Sequence, residues 1–127
     1  MERKPKILLV DDDADFVQTT SKVLKSKPYQ VIVAYNGEEG LRKAREEKPD
    51  LILLDIMMPV KDGFLAAAEF NEDPAISKIP VLALTSFSES LGQPFAFEFD
   101  EYLKKPIKPD ELIAVVEKHL KRLGFKV

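Results

Sequence analysis

The residues with chemical reach gather at the ends of apolar runs. Leu51-Ile-Leu-Leu54 leads into Asp55, and Ile7-Leu-Leu-Val10 leads into Asp11, Asp12 and Asp13. A third run, Val81–Leu84, is followed by Thr85 and Ser86, and a weaker one ends in Lys104 and Lys105 before Pro106. Carboxylates brought together repel, so a fold that collects them needs a cation or a proton to hold them. Two or three carboxylate oxygens plus waters suit Mg2+, which wants octahedral oxygen ligands and usually keeps several waters. A carboxylate beside that ion can be a nucleophile toward phosphorus. Phosphoryl transfer needs mostly positioning and charge neutralisation, and a lysine and a hydroxyl on the far side could hold the phosphoryl oxygens.

These residues need a scaffold that brings distant strand ends together, and the chain carries the pattern of one. Lys6–Val10 reads as a buried strand, and residues 14–26 carry a helical stripe of Phe16, Val17, Thr20, Val23 and Leu24 that Lys27-Pro28 ends. Tyr29–Ala34 is a strand rich in β-branched residues. Asn36 is a candidate N-cap for a charged helix over Glu38–Glu47. Strand Leu51–Leu54, helix Gly63–Asn71, strand Val81–Leu84, a weaker strand Asp100–Lys104 and a helix over Pro109–Leu123 complete the chain, with Pro109 near its first turn and Gly124 at its stop. Strands alternating with helices imply a parallel sheet covered on both faces, and right-handed crossovers make it a doubly wound α/β sandwich. Ligands of such sheets sit beyond the C-terminal strand ends, at a topological switch point. That edge is where the acids, the hydroxyl and the amine converge.

Size and composition narrow the function classes. The 127 residues suit one domain spanning 1–127, and 45% hydrophobic content is ordinary for a globular protein. A net charge of −3, from 19 basic and 22 acidic residues, gives no reason to expect direct nucleic-acid or membrane binding. The apolar runs are strand-length, far below the ~20 residues of a membrane span. There is no Cys, so disulfide and thiolate chemistry are excluded. The expectation is a soluble, cytoplasmic protein.

Four segments in this order carry a family resemblance: Ile7-Leu-Leu-Val-Asp-Asp-Asp13, Asp50-Leu-Ile-Leu-Leu-Asp-Ile-Met-Met-Pro-Val-Lys-Asp-Gly63, Ile79-Pro-Val-Leu-Ala-Leu-Thr-Ser86 and Tyr102-Leu-Lys-Lys-Pro-Ile107. The chain resembles a two-component response-regulator receiver domain along nearly its whole length. The resemblance implies a flavodoxin-like (βα)5 fold, a three-layer sandwich whose five parallel strands run in the order 2-1-3-4-5. It implies that Asp55 accepts a phosphoryl group from a histidine kinase or phosphotransfer domain. It implies that Asp12 ligates Mg2+ directly and Asp11 indirectly, with Asp55 and the backbone carbonyl of Met57 as further ligands. Thr85 would bond a phosphoryl oxygen, and Lys105 would pair with the carboxylate and then with the phosphoryl group. Lys105–Pro106 resembles the family's cis peptide. Tyr102 matches the aromatic switch position, relaying the change to a face made of the helix before the fifth strand, that strand and the last helix. The resemblance makes the protein a signalling switch that assists its own phosphorylation and dephosphorylation, not an enzyme acting on a separate substrate. Met57 and Phe87 lie where they could flank the attacking water, and neither side chain orients water by strong hydrogen bonds. A long-lived phosphoaspartate is expected.

Plainer readings stand beside these. Asp13 suits an N-cap. Asp11-Asp12-Asp13-Ala14-Asp15 imitates an EF-hand loop, but Phe16 stands where that loop needs Gly and Lys22 where it needs Glu. His119 shares a helix face with Leu112, Val116 and Leu123 and reads as a packing residue. A rival function is a haloacid-dehalogenase-like phosphohydrolase with Asp11 as nucleophile. Ala14, the short chain and the lack of a late Asp-rich motif weaken it. A third is a receiver-shaped interaction module that is never phosphorylated.

The stretch Phe87–Phe99 departs from the family. It holds four of the eight Phe residues, Gly92-Gln93-Pro94 interrupts a helix, and Glu98-Phe99 replaces the usual Gly-Ala pair. It reads as a shortened, repacked helix or as an aromatic patch for a partner or a second copy in a homodimer. Non-standard coupling to the output face is expected. The output partner is expected to be a separate protein or an attached domain outside these residues.

Overall fold

Alternate residues of the central strands face opposite sides of one sheet, and that parity builds the molecule. The computed structural model describes residues 3–56, 63–85 and 99–126, with the backbone alone over 63–67. Its strands are β1 (Lys6–Val10), β2 (Gln30–Ala34), β3 (Leu51–Asp55), β4 (Val81–Thr85) and β5 (Glu101–Lys104). The described helices are α1 (Ala14–Lys25), α2 (Gly37–Glu47), α3 (Gly63–Glu72) and α4 (Pro109–Arg122). All neighbouring strands pair in parallel, in the order β2-β1-β3-β4-β5, as the family resemblance implies.

Leu8, Val10, Ile52, Leu54, Val81 and Ala83 join Leu41, Ala44 and Phe70 in one core layer. Ile7, Leu9, Leu51, Leu53, Leu82 and Leu84 join Val17, Leu24, Leu112, Val116 and Leu120 in the other. Side chains two apart share a face of a strand, so unbroken apolar runs are what a sheet covered by α2/α3 on one side and α1/α4 on the other requires. Gly40 lets α2 sit close, since a Cβ there would stand 3.0 Å from Val10 Cγ2.

Local chemistry sets the helix ends. Asp13 is the N-cap of α1, accepting hydrogen bonds from the Asp15 and Phe16 amides, and Asn36 caps α2 by accepting from Glu39 N. Two boundaries differ from expectation in a way that bears on function. Asp55 and Thr85 are not loop residues after the strands but the last residues within β3 and β4, so the ladder holds their backbones.

The last helix needs a correction. Leu112, Val116 and His119 are buried as expected, but Leu123 is 45% exposed, and Leu120 takes the buried place. The reason is the helix stop. Gly124 has φ 97°, and the amides of Phe125 and Gly124 return to the carbonyls of Leu120 and Lys121, a Schellman arrangement that a left-handed glycine permits. The reversal brings Phe125, not Leu123, against the core.

Candidate functional site

The register of the inner strands determines which side chains meet. Val10 lies beside Leu54 in the β1–β3 pair, so Asp11 and Asp55 stand one step further along adjacent strands. The chain winds from β1 outward to β2 on one side and to β3 on the other, which makes this edge the switch point. The Asp11 amide donates to Ala34 O at 3.0 Å, extending the β1–β2 ladder into the site.

Asp11 is fully buried, Asp55 is nearly so, and Asp12 is exposed. One carboxylate oxygen from each lies within 4.8 Å of those of the other two. Lys105 reaches this group from the far side of the sheet. Its Nζ donates to Asp11 Oδ2 at 2.7 Å and stands 3.8 Å from Asp55 Oδ2. The lysine was expected to pair with Asp55; it stands at ion-pair distance from Asp55 and gives its short hydrogen bond to Asp11. Asp11 Oδ1 accepts from the Asp13 amide at 3.0 Å, so both of its oxygens are engaged.

Three carboxylates and one ammonium, among the described residues, leave two negative charges in a partly buried cleft. That excess matches a divalent cation, and an oxygen-only donor set with an exposed member suits a hydrated Mg2+. Met57, expected to offer its carbonyl, lies outside the described residues, as do Phe87 and most of the Phe-rich segment.

Thr85 ends β4 and is buried, and its carbonyl accepts from Lys105 N at 2.7 Å. The Lys105–Pro106 peptide is cis. Tyr102 sits in β5 opposite Ala83, packs on the α2/α3 core layer, and meets Phe99 edge-on at 5.4 Å. The site thus brings together Asp11, Asp12, Asp55 and Lys105 at contact distance and sets Thr85 one strand from Asp55.

Two features escaped the sequence reading. His119 is more than a packing residue: its Nε2 lies 2.9 Å from Glu101 Oε1, tying α4 to β5. Burial works against the Glu101 charge, but hydrogen bonds from Lys118 and His119 outweigh it and hold the carboxyl below its ordinary value. Phe16, read as one residue of a helical stripe, places its ring 4.2 Å from Lys105 Nζ.

The fold and the acid cluster define a doubly wound α/β protein with a cation-ready cleft at its switch point. The sequence profile of the response regulator receiver domain matches residues 7–117, and the chain belongs to that family, the receivers of two-component signalling. It is 39% identical over 119 residues to the alkaline phosphatase synthesis transcriptional regulatory protein PhoP of Bacillus subtilis (strain 168), covering 92% of this chain and 49% of that protein. The chain spans about half the length of the curated relatives it matches. A two-component response regulator from Clostridium difficile superposes with a TM-score of 0.87 at 30% identity, covering 96% of this chain and 100% of that one. The receiver domain of a sensor histidine kinase from Pseudomonas aeruginosa PAO1 superposes with a TM-score of 0.82 at 28% identity, covering 94% and 99%, and carries a magnesium ion in its active-site cleft. Among the described residues no helix is long and apolar enough to cross a membrane.

Proposed function

We propose that Asp55 accepts a phosphoryl group from a histidine kinase or phosphotransfer domain, making the single domain 1–127 a phosphorylatable switch that works in the cytoplasm. The observation that carries this reading is the cluster itself: Asp55 shares its cleft with Asp11 and Asp12 on one side and has Lys105 Nζ 3.8 Å away on the other. Asp12, Asp55 and the Met57 carbonyl are the groups that would hold Mg2+ directly, with Asp11 acting indirectly through water or hydrogen bonds. When bound, the ion supplies charge neutralisation and a fixed point for phosphoryl oxygens.

The protein's own residues do the rest. An Asp55 oxygen forms the bond to phosphorus as the donor's leaving group departs with the electrons of the bond it breaks. Lys105, already poised between Asp11 and Asp55, moves to the new phosphoryl charge, and Thr85 donates its hydroxyl to a phosphoryl oxygen. Tyr102 follows Thr85 and alters the face formed with β5 and the last helix. An output protein, an attached output domain or a second copy of the chain reads that face. The histidine-kinase receiver and response regulators among the relatives support a kinase as the donor.

The rival phosphohydrolase reading makes Asp11 the nucleophile. Both Asp11 oxygens are engaged and the residue has no exposed surface, so it is poorly placed to meet a phosphate ester. Labelling with a small acyl phosphate and Mg2+ tests the assignment. Wild-type protein takes the label and Asp55→Asn does not; equal labelling of the two removes the claim, and label on Asp11 instead favours the hydrolase. The label is expected to persist, and its rapid loss from purified protein counts against the proposed poverty of water-orienting groups.

A further inference from the structure

Lys105 has a third neighbour that neither the acid cluster nor the family pattern explains. The ring of Phe16 lies under its ammonium, with Nζ 4.2 Å from the ring centroid. A cation over an aromatic face at this distance is attracted by the ring's quadrupole, and the attraction grows when water is excluded. Here the lysine side chain is only 20% exposed. Phe16 is itself held in place. Its amide donates to the Asp13 carboxylate at 3.2 Å, and its side chain packs on the α1/α4 core layer. Asp13 in turn donates its amide to Asp11 Oδ1. One six-residue stretch, from Asp11 to Phe16, therefore offers Lys105 both a carboxylate and an aromatic face.

We propose that Phe16 is a positioning residue that holds the Lys105 ammonium on Asp11 in the unphosphorylated protein and so sets how readily the lysine is released to Asp55. The proposal rests on the reading of Asp55 as phosphoacceptor. The hydrogen bond to Asp11 is 2.7 Å and the approach to Asp55 is 3.8 Å, so a shift of little more than an ångström carries the ammonium from its resting partner toward the acceptor. An aliphatic residue at 16 would fill the same space without attracting the charge. Removing the aromatic face thus weakens the resting position more than the phosphorylated one.

Three variants separate attraction from packing. Phe16→Leu keeps the bulk and loses the face, Phe16→Tyr keeps both, and a ring-fluorinated phenylalanine at position 16 keeps the shape while draining the face of electron density. Labelling of Asp55 by a small acyl phosphate is expected to speed up about two- to fivefold in the Leu and fluorinated proteins and to stay at the wild-type rate in the Tyr protein. In the unphosphorylated protein, the Lys105 ε-methylene protons are expected upfield in wild type and Phe16→Tyr, and at ordinary shifts in Phe16→Leu. Unshifted protons in wild type, Leu and fluorinated proteins labelling at or below the wild-type rate, or Tyr changing as much as Leu would each overturn the proposal. Absence of label on wild-type Asp55 defeats the phosphoacceptor reading instead, and the ring-current shifts then still decide the Phe16–Lys105 contact.

Discussion

Asp50 and Asp55 stand at the two ends of β3, and the protein treats them in opposite ways. At the N-terminal edge Arg3 forks onto Asp50, with its two terminal nitrogens 2.8 and 2.5 Å from the two carboxylate oxygens, and the Lys6 amide adds a bond of 2.8 Å. Burial works against the Asp50 charge, but Arg3 and Lys6 outweigh it and hold the carboxyl below its ordinary value. Arg3 also lies over the Phe125 ring, so this carboxylate pins both chain ends to the start of a central strand. At the C-terminal edge, Asp55 joins Asp11 and Asp12, and Lys105 forms ion pairs with Asp11 and Asp55. One end is electrostatically closed; at the other, among the described residues, three carboxylates face one lysine. A carboxylate held in a fork by one arginine is a structural fastener; three carboxylate oxygens gathered within 4.8 Å of one another are a group that could hold a metal ion.

The contrast can be broken most sharply at the cation. Asp12→Ala is expected to weaken Mg2+ binding by about tenfold or more, while Asp50→Ala leaves it unchanged, as read by calorimetric titration. Next in size is the cost of opening the closed end. Asp50→Asn removes charge-assisted hydrogen bonds from a largely buried group and should lower the unfolding free energy by about 1–2 kcal/mol in urea titrations. The open end should show the opposite sign. In metal-free protein, Asp12→Asn relieves repulsion among gathered carboxylates and should raise stability by up to about 1 kcal/mol. Added Mg2+ should reverse that order, because only a protein that binds the ion gains from it.

Acid titration also separates the two ends of β3. The folded-state pKa of Asp50 is depressed from its ordinary 3.8. Its contribution is therefore fully present above that value and lost as pH falls through the lower, folded value. Wild type and Asp50→Asn should differ most above pH 4 and converge in stronger acid, whereas a gap constant with pH would show that the carboxylate charge is not what fastens this edge. The smallest effect belongs to Arg3→Ala, about half a kcal/mol by the same denaturation, because the Arg3 side chain is 66% exposed and water screens the pair.

Much of this molecule is local chemistry and was readable as such. The unbroken runs Ile7–Val10, Leu51–Leu54 and Val81–Leu84 could only be strands covered on both faces, and their common polarity sends Asp11, Asp55, Thr85 and Lys105 to one edge. Asp13 and Asn36 declared themselves as caps by residue type and position. The exchange of Leu123 for Phe125 was not legible from a helical wheel, because the wheel assumes the helix continues and a left-handed Gly124 ends it. Nor was the His119–Glu101 pair, which depends on how α4 lies against β5.

The amino-acid pattern alone therefore settles which segments are strands and helices, the edge at which chemistry can occur and the residues carried there, because alternation, capping and charge act over a few residues. What the folded structure decided is how those residues divide their attention. Lys105 hydrogen-bonds Asp11, 94 residues away, and keeps a longer ion pair with Asp55. A ring in the first turn of α1 steadies it there. Differences of an ångström between alternative partners arise from packing and register across the whole sheet, and no local spacing encodes them.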